Sequence, residues 1–564
     1  MFRKFRVLKR VIKVAFVFLF IFSQSYFISY AQDPNVLEYT GTLEGGIKDG
    51  VSYKKLTENV TFTQGKTIIY CDSAFFYDET NSMIAYGHVR IEDMEDSVTI
   101  TSDRLNYNGN GKVAELRGNV VYVDDSIKLY TDNLDYDMLN KSATYFKGGM
   151  IIDGINTLKS VNGIYDTEGK MMIFTDSVNM ITPDFTMESD NLIYNMITKK
   201  AKTSSRTKIT GKNGKTITSQ MGSEFDTRNG TYAFRAGEVD TDSYYLKGDE
   251  LFFNDKLGSY SAKGNVYLLA KQDDIIITGD YANFWENKGM AKIFGDPLLK
   301  KILNEDTLYL RADTLVSIND SLAVNRKLLA YNNVSLFKTD IQGRADSLVY
   351  YLSDSSIAFF NDPILWNAGS QITADTILTI VKNGTIDQLR TSGNSFIVSE
   401  DSTKNFNQIK GRRMIAYFDG KSIKNVDVTG NGESIYFVSD ENNTKAMIGM
   451  NRIICSNMQI IFNENQVNDI RFYTNPDGNF TPPHELKDDA KKLEGFAWRI
   501  DERPSKREIL MKPSEVELIF QEESVVVDEE VEEKTKLEKL MDEKIDIEKI
   551  KSQLKKPVKE LQQQ

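Results

Sequence analysis

The feature that most constrains this chain is a short phrase that recurs along most of its length. A small residue and an aspartate, followed by alternating apolar positions, occur eight times between Asp72 and Asp375. Where two strong copies are adjacent, their aspartates lie 29 or 31 residues apart, a period typical of stacked repeats. Strong copies begin at Cys71, Ser102, Thr131, Ser189, Gly248, Gly279, Ala345 and Ala374, and weaker ones lie near Asn162, Gly222, Asp313, Arg412 and Ser456.

A second marker accompanies the aspartate at a fixed distance. A glycine lies 15 residues beyond the aspartate in several copies, as Gly118 does after Asp103 and Gly264 after Asp249. Asn361 takes the same place after Asp346. Turn-forming residues lie midway between the two markers. The aspartate and the glycine are therefore predicted to face each other across an antiparallel hairpin.

Each hairpin is predicted to be creased halfway along. Apolar residues two apart share a face of a strand, but the step from Ile100 to Leu105 is five residues, and so is the step from Leu129 to Leu134. An odd step requires a bulge or corner, which a facing glycine tolerates. We expect the aspartate to hold this corner by bonding to nearby backbone. Stacked creased hairpins would form two sheets around a trough with apolar walls.

The repeat resembles a known family. The phrase small-Asp-x-Leu-x-Tyr, followed by a turn and Ala-x-Gly-Asn-Val, is similar to the repeat of the OstA-like proteins of lipopolysaccharide transport, which include LptA, LptC and the N-terminal domain of LptD. The resemblance covers roughly residues 36–475. It implies an all-β fold, an elongated bent β-jellyroll of creased antiparallel hairpins. It also implies lipopolysaccharide or a related acylated lipid as ligand, and other OstA-like proteins as partners through edge-strand stacking.

The inward positions of the repeat are the candidates for lipid contact. Alternation turns these side chains toward the space between the two sheets. A sealed core would use the same residues, so the pattern leaves trough and core as alternatives. The residues are Leu105, Tyr107, Leu134, Tyr136, Leu192, Tyr194, Leu251, Phe253, Phe284, Leu348 and Tyr350.

Two classes of function fit this architecture. A periplasmic lipid carrier needs its apolar residues turned into a trough, whereas a β-solenoid surface protein that binds or cleaves glycans needs exposed aromatic residues and paired acids on an outer face. Tyrosine and phenylalanine recur at the inward positions, which favours the carrier. The aspartates of the repeat lie at the odd step in the alternation of apolar residues. This coincidence favours a structural role for them over a calcium or catalytic role.

Composition excludes several other functions. With only two histidines, His88 and His484, the chain has little material for general base catalysis or zinc binding. No enzyme activity, catalytic residue, metal site or cofactor is therefore predicted. A net charge of −12 argues against nucleic acid as a partner. Cys71 and Cys455 lie in different copies at opposite ends of the stack, so no disulfide is expected.

The two ends of the chain differ from the repeats. Residues 1–31 show a basic stretch, an apolar run and Ser29-Tyr30-Ala31, which is typical of an export signal to the periplasm, where the protein would be free or associated with the outer membrane. An uncleaved anchor is the alternative. Repeats form predicted lobes at residues 32–200 and 201–400. Residues 401–510 hold degenerate repeats and a cap, and residues 511–564 a charged tail, helical or disordered.

Overall fold

The computed structural model describes residues 35–511, except 39–40, 96, 125–126, 213, 304–305, 368, 383–384, 402, 420–421, 440–445 and 464–465. The predicted export signal at residues 1–31 and the tail from residue 512 onward lie outside the described residues. The chain divides into two compact units, Met1–Gly237 and Glu238–Gln564, which we call unit 1 and unit 2. The lobes expected at residues 32–200 and 201–400, and the degenerate repeats and cap expected at residues 401–510, stay a prediction.

The fold is all-β, as predicted. The paired strands run antiparallel, because short turns such as the one between Asn108 and Val113 join successive arms. The described residues form 38 strands: β1 Asn35–Glu38, β2 Thr42–Lys48, β3 Val51–Gln64, β4 Thr67–Tyr77, β5 Ser82–Asp93, β6 Val98–Asn108, β7 Val113–Asp124, β8 Ile127–Asp137, β9 Ser142–Tyr145, β10 Gly149–Asp153, β11 Asn156–Ser160, β12 Asn162–Asp166, β13 Met171–Ile181, β14 Phe185–Asn195, β15 Lys200–Lys202, β16 Thr207–Gly211, β17 Thr216–Ser219, β18 Ser223–Asp226, β19 Thr231–Asp240, β20 Tyr244–Asn254, β21 Ser259–Ala270, β22 Ile275–Trp285, β23 Met290–Phe294, β24 Leu298–Ile302, β25 Thr307–Arg311, β26 Thr314–Ile318, β27 Lys327–Lys338, β28 Ile341–Tyr351, β29 Ser356–Phe360, β30 Ile364–Asn367, β31 Ser370–Thr373, β32 Thr376–Lys382, β33 Thr385–Glu400, β34 Phe406–Asp419, β35 Ser422–Ser439, β36 Met447–Asn463, β37 Gln466–Tyr473 and β38 Asp477–Thr481.

Helical structure among the described residues is limited to short segments. The single α-helix, α1, spans Lys506–Leu510 and begins with a capping box in which Ser505 and Glu508 bond to each other's backbone N–H groups. Single turns of 3₁₀-helix cover Glu286–Lys288, Ala323–Asn325, Pro483–Glu485, Asp488–Lys491 and Ile500–Glu502.

The predicted crease is present, and its geometry explains both markers. In the β6–β7 hairpin the register shifts between Thr101 and Arg104. Opposite this shift, Gly118 and Asn119 adopt left-handed φ angles of 78° and 46°. A β-carbon on Gly118 would lie 2.6 Å from Oδ2 of Asp103. Glycine is therefore required both for its conformation and for the close approach of the carboxylate.

The aspartates accept hydrogen bonds at the crease, from an asparagine side chain as well as from backbone. Nδ2 of Asn119 donates to Oδ2 of Asp103 at 2.8 Å, and the backbone N–H of Asn119 donates to Oδ1 of Asp132 at 3.4 Å. The side-chain bond adds to the backbone bonding that the sequence predicts. The predicted creases at Asp103/Gly118, Asp249/Gly264 and Asp346/Asn361 are all confirmed. The same bond recurs as Asn265–Asp249, Asn361–Asp346, Asn394–Asp375 and Asn333–Asp313, with His88 in the asparagine place beside Asp72.

The crease divides each long strand of unit 1 between two layers that enclose an apolar interior. We call the part of β6 before its crease layer A and the part after it layer B, and likewise for the strands paired with each part. Rings from the two layers touch inside, since the centroids of Phe62 and Tyr107 lie 6.1 Å apart, as do those of Tyr122 and Tyr136. Ile100 and Leu105 are both fully buried, which confirms that the inward alternation shifts by one residue between them.

Unit 2 carries an additional segment, residues 482–511, which we call the strap. It was expected to cap the last repeat, but it runs back across several repeats on the outer face of the sheet. Gln408, Gln371 and Gln342 are buried beneath it and bond to Leu493, Arg499 and Arg503, respectively. The reason is that these glutamines alternate with inward residues such as Ile372, so they point outward and offer both an amide donor and an acceptor to the passing chain.

Candidate functional site

The two layers of unit 1 end on the side opposite the creases, where turns join their strands, and we call this side the mouth. The sixth residue after the first left-handed residue of a crease lies at the mouth of layer A, because Val120, Tyr122 and Asp124 share the inward face after Gly118. Along unit 1 this mouth position is occupied by Gln64, Asp93, Asp124, Asp153 and Thr182.

Three rungs of hydrogen bonds close the mouth between layers A and B. Each rung joins a residue at the mouth position of layer A to a tyrosine of layer B. This tyrosine ends a repeat phrase or takes the equivalent place in a weaker copy. The tyrosine hydroxyl donates to the mouth residue in every case. The rungs are Tyr107 to Gln64 at 2.6 Å, Tyr136 to Asp93 at 3.1 Å and Tyr165 to Asp124 at 2.7 Å.

The third rung also includes a cation. Nζ of Lys170 donates to Oδ2 of Asp124 at 3.0 Å and to the hydroxyl of Tyr165 at 3.1 Å. Burial and, after it, the hydrogen bond to Asp124 raise the pKa of Tyr165 to about 12. The phenol therefore stays protonated and keeps donating at any physiological pH. Asp124 is buried, so the lysine also supplies the counter-charge that a buried carboxylate requires.

The fourth rung is unpaired, and a pocket opens there. Asp153 and Tyr194 stand where the next mouth residue and tyrosine are due, but in the described part of the chain no side-chain hydrogen bond joins them. Both instead line a pocket of about 340 Å³ between the layers. This volume lies in the range of pockets that hold small ligands, roughly 300–1,000 Å³.

The wall of this pocket is apolar and its rim is polar. Thioether and aromatic side chains make up much of the wall, and methionine adapts its shape readily to an irregular ligand. The wall includes Ile127, Ile151, Leu158, Met172, Phe174, Met180, Phe185, Met187, Leu192, Met196, Ala201, Phe225 and Tyr232. The rim includes Asp153, Asn156, Thr157, Thr182 and Thr227.

The family comparison covers the part of the chain that carries the bonded rungs and most of the pocket. Residues 35–190 match the model of the family described as OstA-like protein. The likeness to this family is therefore confined to part of unit 1. A search of curated proteins found no match.

Among solved structures, one that resembles part of this chain is the crystal structure of LptH, described as the LptA homologous periplasmic component of the conserved lipopolysaccharide transport device from Pseudomonas aeruginosa. The two are 12% identical, and the match covers 21% of this chain and 82% of that chain with a TM-score of 0.19.

The structure separates the predicted contact residues by their surroundings. Behind the bonded rungs the inward side chains are at most 1% exposed and form a closed core, and they are Leu105, Tyr107, Leu134 and Tyr136. At the unpaired rung, Leu192 and Tyr194 line the pocket. In unit 2, Leu251, Phe253 and Leu348 are buried, while Phe284 and Tyr350 are half-buried. Contact of any of these residues with lipid stays a proposal.

Sequence reasoning missed the methionines of the pocket. Met172, Met180, Met187 and Met196 all line it, within 25 consecutive residues. Their density was a usable signal, because methionine is otherwise an uncommon choice for strands that favour β-branched and aromatic residues. The repeat phrase points to leucine and tyrosine, and these four methionines lie outside it.

The described ranges contain neither a candidate metal site nor a candidate membrane-spanning helix. Within them, no group of three or more His, Cys, Asp or Glu side chains is placed to hold a metal ion. No helix in the same ranges is both long and apolar enough to span a membrane.

Proposed function

We propose that this protein is a periplasmic carrier of outer-membrane biogenesis that holds lipopolysaccharide or a related acylated lipid, with acyl chains in the pocket at the unpaired fourth rung of unit 1. The observation that carries the proposal is the apolar pocket at this rung, next to a mouth that three preceding rungs close. The OstA-like match, the export signal expected at residues 1–31 and the repeat resemblance support it. The protein acts by binding alone.

The chemistry of the pocket suits an acyl chain better than a sugar. A saturated chain gains about 0.8 kcal/mol for each methylene removed from water, and the methionines and phenylalanines of the wall offer apolar surface without a directed hydrogen bond. A glycan would leave its hydroxyl groups unpaired against such a wall, which is unfavourable. The polar rim residues, such as Asn156 and Thr227, remain available for the first polar atoms of a lipid head group.

The bonded rungs determine where a chain can enter. Asp93 and Asp124 are buried and accept a hydrogen bond from a tyrosine. Opening either rung would take this donor away from a buried carboxylate, which is unfavourable. No such cost applies at Asp153. An acyl chain therefore enters at the fourth rung rather than at the first three.

Native mass spectrometry of the protein extracted from its own envelope tests the proposal. Acylated lipid should copurify with the unmodified chain and be lost from Ala201→Phe, because Ala201 lines the pocket and a phenyl ring there fills it. Ala233→Phe is the matched control, since Ala233 lies beside the inward-facing Phe234 and points outward. The proposal fails if no acylated lipid is retained, or if both variants retain it equally.

A further inference from the structure

Unit 2 has its own pocket between the halves of its creased strands, with a volume of about 250 Å³. Its wall is aliphatic and aromatic, and includes Leu308, Leu336, Ile357, Phe359, Val381 and Ile386. This pocket lies outside residues 35–190, the part that matches the OstA-like model. It is also smaller than the pocket of unit 1, so it holds a single aliphatic chain more readily than a bundle of chains.

The mouth position differs in charge between the two pockets. Gly295 and Asn332 are the first left-handed residues of two creases in unit 2, with φ angles of 73° and 59°. The sixth residues after them are Lys301 and Lys338, and both line the pocket. In unit 1 the pocket has Asp153 and Thr182 at the equivalent positions. The same place in the repeat is therefore acidic or neutral at one pocket and basic at the other.

The two lysines are not equivalent. The Lys338 side chain is 13% exposed and its Nζ lies 2.6 Å from Oδ1 of Asp340 and 3.9 Å from Oδ2 of Asp306, so two carboxylates neutralise it. Lys301 has no acidic partner within the ranges that the structure describes. Its ammonium lies 5.6 Å from the ring centroid of Tyr350, at the mouth. A ring face holds an ammonium in place but leaves its charge uncompensated.

We propose that this second pocket binds a single-chain amphiphile with an anionic head, a carboxylate or a phosphate, and that Lys301 pairs with the head while the chain lies along the aliphatic wall. The half-buried Tyr350 positions the ammonium of Lys301 over the chain entrance. Asp340 and Asp306 keep Lys338 paired, which leaves Lys301 to meet the head group. This site goes beyond the proposed function, because it lies in unit 2 and selects by head-group charge.

Photolabelling of the full chain tests this site. Three probes share one alkyl chain with a terminal diazirine: a fatty acid, a lysophosphatidic acid and the neutral alcohol. Labelled peptides are mapped by mass spectrometry at increasing probe concentration. The variants are Lys301→Gln, Lys301→Arg and Lys300→Gln. Lys300 is the matched control, since it neighbours Lys301 on β24 and faces outward.

One or both anionic probes should label the β27 and β29 wall, near Leu336 and Ile357. Labelling by the fatty acid, by the lysophosphatidic acid or by both shows which head groups the site accepts. Lys301→Gln should raise the half-saturating concentration about tenfold, the effect of one charged hydrogen bond. Lys301→Arg should not raise it, because arginine keeps the charge, stacks on a ring and pairs with carboxylate or phosphate. Lys300→Gln should leave it within about twofold of the unmodified chain. Equal labelling by the neutral alcohol, or equal effects of Lys301→Gln and Lys300→Gln, overturns the proposal. Labels near Met187 and Met196 report on the unit 1 pocket. The proposals for the two pockets can therefore be refuted independently.

Discussion

The hydroxyl of Tyr136 donates a hydrogen bond of 3.1 Å to Oδ2 of Asp93 across the mouth of unit 1. The two residues are 43 positions apart and belong to different layers. Asp93 is 4% exposed, and its other oxygen accepts from the backbone N–H of Glu95. The tyrosine is thus a partner that holds a buried carboxylate and closes the mouth at the same time.

Removing this hydroxyl should destabilise unit 1. Tyr136→Phe keeps the ring but leaves a buried carboxylate oxygen without its donor, which costs about 1–3 kcal/mol of the free energy of unfolding. Urea denaturation followed by fluorescence measures the loss. Tyr130→Phe is the control, because Tyr130 lies on the outer face of the same strand, β8, and is 37% exposed. Equal losses in the two variants would show that the rung contributes nothing specific.

The crease makes a separate prediction about glycine. Gly118→Ala should lower the free energy of unfolding by about 1–3 kcal/mol, because alanine is strained at a φ of 78° and its β-carbon would collide with Asp103. The double variant Gly118→Ala/Asp103→Ala removes the collision but not the strain, so it should recover only part of the loss. Gly111→Ala, where the nearest atom lies 3.7 Å away, should be close to neutral. An unchanged free energy of unfolding in Gly118→Ala would contradict the strained conformation and close contact at this crease.

The buried thiol of Cys71 should be unreactive in the folded chain. Burial, and then the charge of Asp72, raise the pKa of Cys71 to about 12, while Cys455 is buried and free as well. Since the thiolate is the nucleophile, a maleimide at pH 8 should label neither residue until urea unfolds the protein. Rapid labelling of Cys71 under native conditions would contradict the structure.

The same thiol predicts how stability depends on pH. The folded pKa is raised, so the folded state holds the proton more tightly than the unfolded state does. Its contribution to stability is complete below the ordinary thiol pKa and is lost as the pH rises from there toward about 12. Denaturation curves of the unmodified chain should therefore show a decline over this interval that is smaller in Cys71→Ala. An identical decline in both would assign it to other groups.

The strap should depend on its buried glutamines. Nε2 of Gln371 donates to the carbonyl of Ala497 at 2.7 Å, and its Oε1 accepts from the backbone N–H of Arg499 at 2.6 Å. Gln371→Ala removes both bonds, at a cost of about 2–4 kcal/mol in the local opening free energy. Hydrogen exchange of residues 491–511 should accelerate accordingly. Gln388→Ala, whose side chain bonds only to Arg390, serves as the control. Unchanged exchange in Gln371→Ala would argue against this anchoring.

The sequence predicted the creases and the inward faces because both are local and repeated. The 15-residue spacing of Asp103 and Gly118, and the odd step from Ile100 to Leu105, each report on one hairpin and recur in the next. The strap could not be predicted in this way. Its partners, Gln371 and Gln408, lie far from it in the chain, and glutamine at an outward position is indistinguishable in sequence from an ordinary solvated residue.

The distinction between core and pocket was beyond sequence reasoning for the same physical reason. Tyr136 and Tyr194 occupy the same position of the repeat phrase, and alternation turns both inward. What separates them is the mouth residue across the layers, which is bonded at Asp93 and unbonded at Asp153. Both mouth residues are aspartates, so the residue type at this position does not distinguish a bonded rung from the unpaired one.

Site-specific photo-crosslinking in living cells tests whether acyl chains occupy the pocket of unit 1. A photoreactive phenylalanine derivative replaces Tyr194, which lines the pocket, or Ile193, its outward-facing neighbour that is 41% exposed. If acyl chains occupy the pocket, lipopolysaccharide or another acylated lipid should form adducts at position 194 and none at position 193. Lipid adducts of equal yield at both positions, or adducts at position 194 with glycan or protein alone, would contradict it.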